Sequence, residues 1–197
     1  CGKNVRYQDI YTEGITKITA DDFKYAKVMD CTIKLLGLAK EENGGLYAMV
    51  SPFLISKSHP LSMVNDVFNA VCVHGNMLGD SMYYGRGAGK LPTASAVVSD
   101  VVDCAKNKGR NIMMSWSEEK LDLLQIDDVK SRFFVRVSGH AAERQSEIEE
   151  LFGKVEIVAV PSLSEEFAFI TGEITEQEYR EKAEKLDGIQ SRIRARI

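Results

Sequence analysis

The chain has 197 residues, of which 44% are hydrophobic and 27% are charged, and its formal net charge at pH 7 is −4. This length and composition predict a globular protein with one large or two small domains. The slight negative charge, without a dense Lys/Arg block, argues against a nucleic-acid binder, and the lack of a long apolar run excludes a membrane-spanning helix.

The cysteines and histidines are widely spaced, and this spacing excludes two kinds of site. They are Cys1, Cys31, Cys72, Cys104, His59, His74 and His140. No C-x-x-C pair and no metal-ligand spacing occurs among them, so we predict neither a disulfide framework nor a metal site. Reduced thiols of this kind indicate a cytoplasmic protein. The histidines are predicted to be structural or exposed.

The first segment predicts a short strand and then a helix. Thr19 and Asp22 have the spacing of a helix N-cap and its third helical residue, and the helix is expected to direct Phe23 and Ala26 inward. Glu13, before Gly14, leaves two alternatives open. It is either a catalytic carboxylate or a carboxylate that hydrogen-bonds a turn.

Residues 31–85 predict an antiparallel sheet, closed by a helix from about residue 91 to 105. Pro52 predicts a break or an edge position in the second strand, because proline cannot donate a ladder hydrogen bond. Gly75-Asn76 predicts a hairpin turn between the last two strands.

The stretch GRGAGKLPTASAVVSD (85–100) passes from a strand through three glycines into a helix. Pro92 fits the first helical turn. Open backbone N–H groups at such a helix start favour a phosphate, although glycine could equally serve the turn geometry alone. Lys90 excludes the G-x-G-x-x-G fingerprint, and Tyr84 and Leu91 exclude the P-loop.

This stretch resembles the glycine loop and helix of homoserine dehydrogenases. Three further motifs agree in order, and they are YTEGITKIT (11–19), IKLLGLAK (33–40) and HPLSMVNDVFNAV (59–71). The resemblance implies that Gly87, Gly89 and Thr93 bind an NAD or NADP cofactor. It implies interconversion of L-homoserine and L-aspartate 4-semialdehyde, in threonine and methionine biosynthesis, by a homodimer.

The resemblance also implies that part of the active site is missing from these residues. The family's Rossmann half, its substrate-binding Glu and its Lys in a G-x-D-x-x-x-K stretch are not found here, and in the family they precede the YTEGI motif. We therefore expect a C-terminal fragment that is inactive alone. The alternative is a non-catalytic module that senses an amino acid or mediates dimerisation.

After a connecting arm with Trp116, Leu121, Leu123 and Leu124, residues 132–197 predict the order β-α-β-β-α-β. This order is ferredoxin-like and, at this place in the chain, resembles an ACT domain. The loop SGHAAER (138–144) lacks the proline of the family's Asp-x-Pro-Gly run, so we expect threonine to bind weakly or not at all. Arg136 and Arg192, on outward strand faces, could serve as alternative anion anchors, although outward arginines are usually only solvated.

The last strand alternates, and we expect Ile189, Ile193 and Ile197 to face inward while Gln190, Arg192, Arg194 and Arg196 face outward. The prediction as a whole is an α+β chain with three parts. Residues 1–108 form the distal catalytic and dimerisation segment, 109–131 a linker arm, and 132–197 an ACT-like domain.

Overall fold

The computed structural model describes residues 4–42, 44–110 and 117–197. The strands are β1 (Tyr11–Thr12), β2 (Cys31–Glu42), β3 (Gly45–Ser56), β4 (Phe68–Gly75), β5 (Gly79–Arg86), β6 (Lys130–Ser138), β7 (Glu156–Val158), β8 (Glu166–Ile170), β9 (Ile174–Thr175) and β10 (Ile189–Arg196), and the helices are α1 (Ala20–Val28), α2 (Lys90–Lys106), α3 (Ala141–Phe152) and α4 (Glu176–Ala183). The described residues form two compact units. The first combines 4–42, 44–57 and 118–197, and the second consists of 58–110 and 117.

A mixed sheet organises the first unit. Its strand order is β1-β3-β10-β6-β8-β7, with β2 added to β3 and β9 added to β6. Strand β3 runs parallel to β1 and β10 and antiparallel to β2, whereas the pairs β10–β6, β6–β8 and β8–β7 are antiparallel. Phe53–Ile55 of β3 pair in parallel with Arg194–Arg196 of β10. This pairing joins the first third of the chain and its last strand in one sheet.

The prediction of one antiparallel sheet over residues 31–85 is wrong. Strands β2 and β3 belong to the large mixed sheet, whereas β4 and β5 form a separate two-stranded sheet in the second unit. The error has a physical cause. Strand β3 finds its other neighbours far away in sequence, and a hydrophobic pattern does not state which strand lies beside it.

Pro52 is a buried residue inside β3, and the strand continues on both sides of it without a break. It pairs with Leu35 of β2 on one side. On the other side β3 pairs with β1 through Met49 and Val50 and with β10 from Phe53 onwards. Pro52 thus falls where β3 changes neighbours, and there its missing N–H removes no hydrogen bond of a parallel ladder.

Both faces of the large sheet are covered. One face packs Leu54, Phe134, Ile170 and Ile193 against Tyr25 of α1. The other face packs side chains of β6 and β8 against α3 and α4, and its buried members include Phe133, Val135, Phe169, Ile148, Phe152 and Tyr179. Successive side chains of β10 therefore point alternately into two interior layers along much of the strand.

Because both faces of the sheet are covered, the predicted orientation of the β10 side chains is partly wrong. Ile193 is buried as expected and Gln190 and Arg196 are exposed, but Ile197 is 41% exposed and Arg194 is only 1% exposed. Arg192 is half-buried. The polar face of β10 is an interior face as well, and its arginines are accommodated there because carboxylates lie opposite them.

Helix α1 begins as predicted. The backbone N–H of Thr19 donates to Asp22 Oδ2 at 2.7 Å, which is one half of a capping box. Ala26 is buried, but Phe23 is 52% exposed, and Tyr25 takes the inward place that the sequence assigned to Phe23. Asp22, Tyr25 and Ala26 have the spacing of one helix face.

The second unit consists of the β4–β5 hairpin and α2. The hairpin pairs Phe68 with Arg86 at its base and Gly75 with Gly79 at its turn, close to the predicted turn. None of the described residues between 58 and 110 is buried. No helix in the described ranges has both the length and the apolar composition that are needed to cross a bilayer.

Residues 118–129 of the arm before β6 belong to the first unit. The N–H of Leu121 donates to the carbonyl of Asn4, and the N–H of Leu124 donates to that of Leu46. A Cβ on Gly45 would lie 2.6 Å from Leu124 Cδ2, so this glycine leaves the space that the leucine fills. Trp116 lies outside the described residues. The division at residues 108 and 131 follows the resemblance and stays a prediction.

Candidate functional site

Two of the predicted cofactor residues, Gly87 and Gly89, lie between β5 and α2, and the third, Thr93, lies at the start of α2. Gly89 is the N-cap of α2, and its carbonyl accepts a hydrogen bond from the N–H of Thr93 at 3.2 Å. Pro92 lies in the first helical turn, as the sequence predicted. Gly87 precedes the helix by three residues, so the fold brings all three candidates together.

Gly87 has a local steric reason to lack a side chain. Its N–H donates to the carbonyl of Val67 at 3.1 Å, which draws the loop against the base of the hairpin. A Cβ built at this position would lie 1.7 Å from Nδ2 of Asn69. The position therefore requires either glycine or a displaced Asn69.

Gly89 has a conformational reason instead. Its φ is +117°, in the region that side chains rarely adopt. The nearest atom to an added Cβ would be Cδ of Pro92 at 3.6 Å, so space alone would admit a side chain. Both glycines thus serve the turn, whichever ligand the turn faces.

The charges around this turn favour an anion. The first turn of α2 contains no acidic residue, and Arg86 and Lys90 flank the two glycines. Helix α2 has 17 residues, and the free N–H groups and the dipole of its first turn add to the same preference. We therefore interpret the turn as a candidate site for a phosphate group.

A second polar assembly, the Arg194 cluster, is buried in the first unit. It consists of Arg192, Arg194, Glu13, Glu176 and Ser51. Arg194 Nη1 donates to Glu13 Oε2 at 2.7 Å and to Ser51 Oγ at 2.5 Å, and its Nε donates to Glu176. Arg192 donates to the same two carboxylates, each at 3.1 Å. Each carboxylate is thus held by both arginines.

The cluster lowers the pKa of Glu13. Burial alone would raise the pKa of this carboxyl, but the charge of Arg192 and the charge and hydrogen bond of Arg194 outweigh burial, and the pKa lies below its ordinary value. Burial raises the pKa of the neighbouring Tyr179 to about 12. Glu13 is therefore an ionised structural partner whose carboxylate binds two arginines. Neither of the two alternatives drawn from the sequence included this ion pairing.

A third assembly, the Arg136 cluster, lies on the opposite face of the sheet and consists of Arg136, Asp22, Thr19 and Glu166. Arg136 is 5% exposed. Its Nη1 donates to Asp22 Oδ1 at 2.8 Å and to Thr19 Oγ1 at 2.7 Å, and its Nε and Nη2 bind the carboxylate of Glu166. The expectation that Arg136 and Arg192 point outward as free anion anchors is wrong, because carboxylates of this chain occupy both.

The loop of the predicted effector site is held by its own neighbours. Gly139 has a φ of +103°, and its N–H donates to the carbonyl of Glu165 at 2.8 Å. Arg144 binds the carbonyls of Ser138 and Asp187. An open cavity of about 440 Å³ lies nearby, and its described lining is Ser138, Ser162, Leu163, Ser164, Glu165, Glu166 and Gln190, without a basic side chain.

The histidines lie as the sequence predicted. His59 Nδ1 accepts from the N–H of Leu61, His74 is exposed beside Asp80, and His140 is the exposed N-cap of α3. Within the described ranges, no group of three or more acidic, His or Cys side chains is arranged to hold a metal ion.

Comparisons with known proteins give a consistent family. Residues 1–102 match the model of the homoserine dehydrogenase family. The homoserine dehydrogenase of Mycobacterium tuberculosis is 47% identical over 109 residues, which are 53% of this chain and 25% of that protein. The Helicobacter pylori homoserine dehydrogenase is 37% identical over 136 residues, which are 69% of this chain and 32% of that protein.

Solved structures extend the similarity to nearly the whole chain. A homoserine dehydrogenase from Thiobacillus denitrificans has a TM-score of 0.81 and 28% identity, and the match covers 99% of this chain and 49% of that one. The S. aureus homoserine dehydrogenase has a TM-score of 0.75, with the same coverage. The chain thus spans about half the length of these solved relatives and less of the curated ones.

Proposed function

The chain belongs to the homoserine dehydrogenase family, and from this we propose that it is the C-terminal part of an enzyme that interconverts L-homoserine and L-aspartate 4-semialdehyde with NAD or NADP. The observation that carries the proposal is the family match over residues 1–102, which includes the glycine turn. The structural similarity over 99% of the chain supports it.

In this proposal the turn before α2 is one wall of the cofactor site. Gly87 and Gly89 let the dinucleotide approach the backbone closely near Thr93, and the N–H groups at the start of α2, before Pro92, and the charges of Arg86 and Lys90 favour its phosphates. A bound nicotinamide supplies the hydride chemistry. The 197 residues contain neither a glycine fingerprint nor a G-x-D-x-x-x-K stretch, so we expect no turnover from them alone.

The test uses Gly87, because Asn69 provides a matched control. In the complete gene product, Asn69→Ala removes the amide that would clash with a side chain at position 87. Adding Gly87→Ala to that variant then places a methyl group in the turn without a clash. We expect the KM for NAD(P) to rise more than the KM for homoserine, relative to Asn69→Ala alone.

Equal changes in the two KM values, or none, would contradict the cofactor role of the turn. Absence of any homoserine oxidation by the unmodified gene product would contradict the enzyme assignment itself and favour a sensing module. Gly89 is less suited to this test, because any side chain at its φ of +117° strains the backbone.

The proposal includes an ACT-like, ferredoxin-like fold for residues 132–197. The strand order β10-β6-β8-β7 supports this, since it places the first and third strands of the segment in the centre, between the fourth and the second. Both helices of the segment contribute buried residues to the same face, Ile148 from α3 and Tyr179 from α4.

We expect this domain to bind threonine weakly. The N–H of Gly139 is already used by Glu165, and the nearby cavity has carboxylates but no basic side chain in its described lining to hold an amino-acid carboxylate. A thermal melt with threonine up to tens of millimolar tests this. A saturating rise in Tm at sub-millimolar threonine, absent with serine, would contradict it.

A homodimer and a cytoplasmic location complete the proposal. The hairpin exposes Val71, Val73 and Tyr83, and an isolated two-stranded hairpin is marginally stable, so a partner surface is expected there. Free thiols at Cys31, Cys72 and Cys104 are consistent with a reducing compartment. Light scattering at high micromolar concentration tests the dimer, and a monomer mass would contradict it.

A further inference from the structure

We propose that the segment from Glu13 to Asp22 is locked to the C-terminal strands by the Arg194 and Arg136 clusters, so that a displacement of β10 or β6 is transmitted to it. This coupling goes beyond the proposed dehydrogenase function. It depends only on contacts within the first unit, and it can be tested in this chain whether or not the complete protein oxidises homoserine.

The two clusters hold opposite ends of that segment from opposite faces of one sheet. Glu13, directly after β1, is bound by Arg192 and Arg194 of β10. Asp22, in the first turn of α1, is bound by Arg136 of β6. Since β10 and β6 are adjacent antiparallel strands, the segment is fixed to both of them.

The Arg194 cluster is closed and neutral, which makes it sensitive to the loss of any member. Two arginines face two carboxylates, and each carboxylate accepts from both arginines. Removal of one carboxylate would leave an uncompensated positive charge in a site where Arg194 is 1% exposed. The charged members come from the β1 end, β10 and α4, so the charge imbalance would loosen all three.

The cluster is better suited to fixing an arrangement than to adding stability. Nη2 of Arg194 is buried without a hydrogen-bond partner among the described residues, which is an energetic cost that an apolar side chain would avoid. A two-residue slip of β10 keeps the same faces inward, so the apolar pattern alone specifies its register weakly. The ion pairs to Glu13 and Glu176 disfavour the slip that would bring Gln190 and Arg192 to the places of Arg192 and Arg194.

Hydrogen exchange measured by mass spectrometry on this chain tests the lock. Glu13→Gln removes one carboxylate, and we expect amides of both residues 11–18 and β10 to exchange at least about tenfold faster. Arg196→Gln, on the same strand but exposed, is the matched control and should leave both segments unchanged.

A double variant separates the charge effect from general damage. Glu13→Gln with Arg192→Gln restores neutrality around Arg194, so its loss of unfolding free energy should be smaller than the sum of the two single losses. This also covers the case in which Glu13→Gln alone fails to fold, because the neutral double variant should then fold. Additive losses, a double variant that does not fold, or unchanged exchange in β10 in Glu13→Gln would overturn the proposal.

Discussion

At the scale of single residues, the ionised state of Glu13 makes the chain sensitive to acid. Its pKa in the folded chain lies below the ordinary 4.5 because Arg192 and Arg194 outweigh the effect of burial. A lowered carboxyl pKa contributes stability that is fully present above the unfolded value and is lost as the pH falls through the folded value.

We therefore expect the unfolding free energy of the wild type to fall below about pH 4.5, and to fall more steeply than that of Glu13→Gln. Urea unfolding of both proteins between pH 7 and pH 3 measures the difference. A constant difference across this range would show that the Glu13 carboxylate has the same pKa in both states, contrary to the described contacts.

Gly45 gives a second prediction at this scale. An alanine methyl group would overlap the side chain of Leu124, whose backbone is held by the carbonyl of Leu46, so Gly45→Ala should destabilise the chain by about 1–3 kcal/mol. Thermal or urea unfolding measures this loss. Adding Leu124→Ala removes the overlapping atoms, and Gly45→Ala should then have little further effect.

At the scale of elements, α1 depends on Asp22 both as a cap and as an ion-pair partner. Asp22→Asn leaves Arg136 paired with Glu166, so we expect a loss of about 1–2 kcal/mol. Arg136→Met leaves two carboxylates unpaired and should cost about 3–5 kcal/mol. Urea unfolding gives both values.

Asp21→Asn is the control for α1, because Asp21 is more exposed and pairs mainly with Lys24, and it should change the unfolding free energy little. If Asp22→Asn lowered the unfolding free energy as much as Arg136→Met, the number of unpaired charges would not explain the size of the loss. The order of the two losses is therefore the informative result.

The elements also show which features a sequence can predict. The capping box of Thr19 and Asp22 lies within four residues, so the sequence predicted it. Arg194 meets Glu13 across 181 positions, and no local pattern specifies such a partner. Arginines at every second position of β10 indicated that these side chains share one face of the strand. They did not indicate that other parts of the chain cover this face.

The glycine turn also shows that features within a few residues can be predicted from sequence, whereas contacts with distant residues cannot. The family resemblance implied one cofactor site at Gly87, Gly89 and Thr93, and these residues lie close together at the start of α2, as their closeness in sequence requires. The reason for Gly87, a clash with Asn69, depends on the hairpin and was not predicted. The strands of residues 31–85 and their pairing with the next strand along the chain were mostly correct, whereas the pairing of β3 with β1 and β10 was not predicted, since it is decided by distant residues.

At the scale of the whole molecule, the first unit contains both ends of the described chain. If residues 132–197 were an independent domain, their removal would leave the preceding segment folded. The structure predicts otherwise, because β3 would lose β10 along Phe53–Ile55 and apolar side chains such as Leu54 would lose their cover.

We therefore expect a chain that ends at residue 131 to aggregate or to lack the cooperative unfolding transition of residues 1–197. Circular dichroism melts and light scattering of the truncated chain, with the 132–197 piece and the intact chain as comparisons, measure this. A soluble truncated chain that melts cooperatively would mean that β3 does not need β10.

The pairing of β3 with β10 also has a consequence during synthesis. Strand β10 leaves the ribosome more than 130 residues after β3, which at 5–20 residues per second is a delay of roughly 7–27 s. During that time Phe53, Leu54 and Ile55 lack the strand that pairs beside them in the finished sheet. A nascent chain of this protein would therefore need a chaperone at the exit tunnel to cover an unpaired, apolar strand until translation reaches its partner.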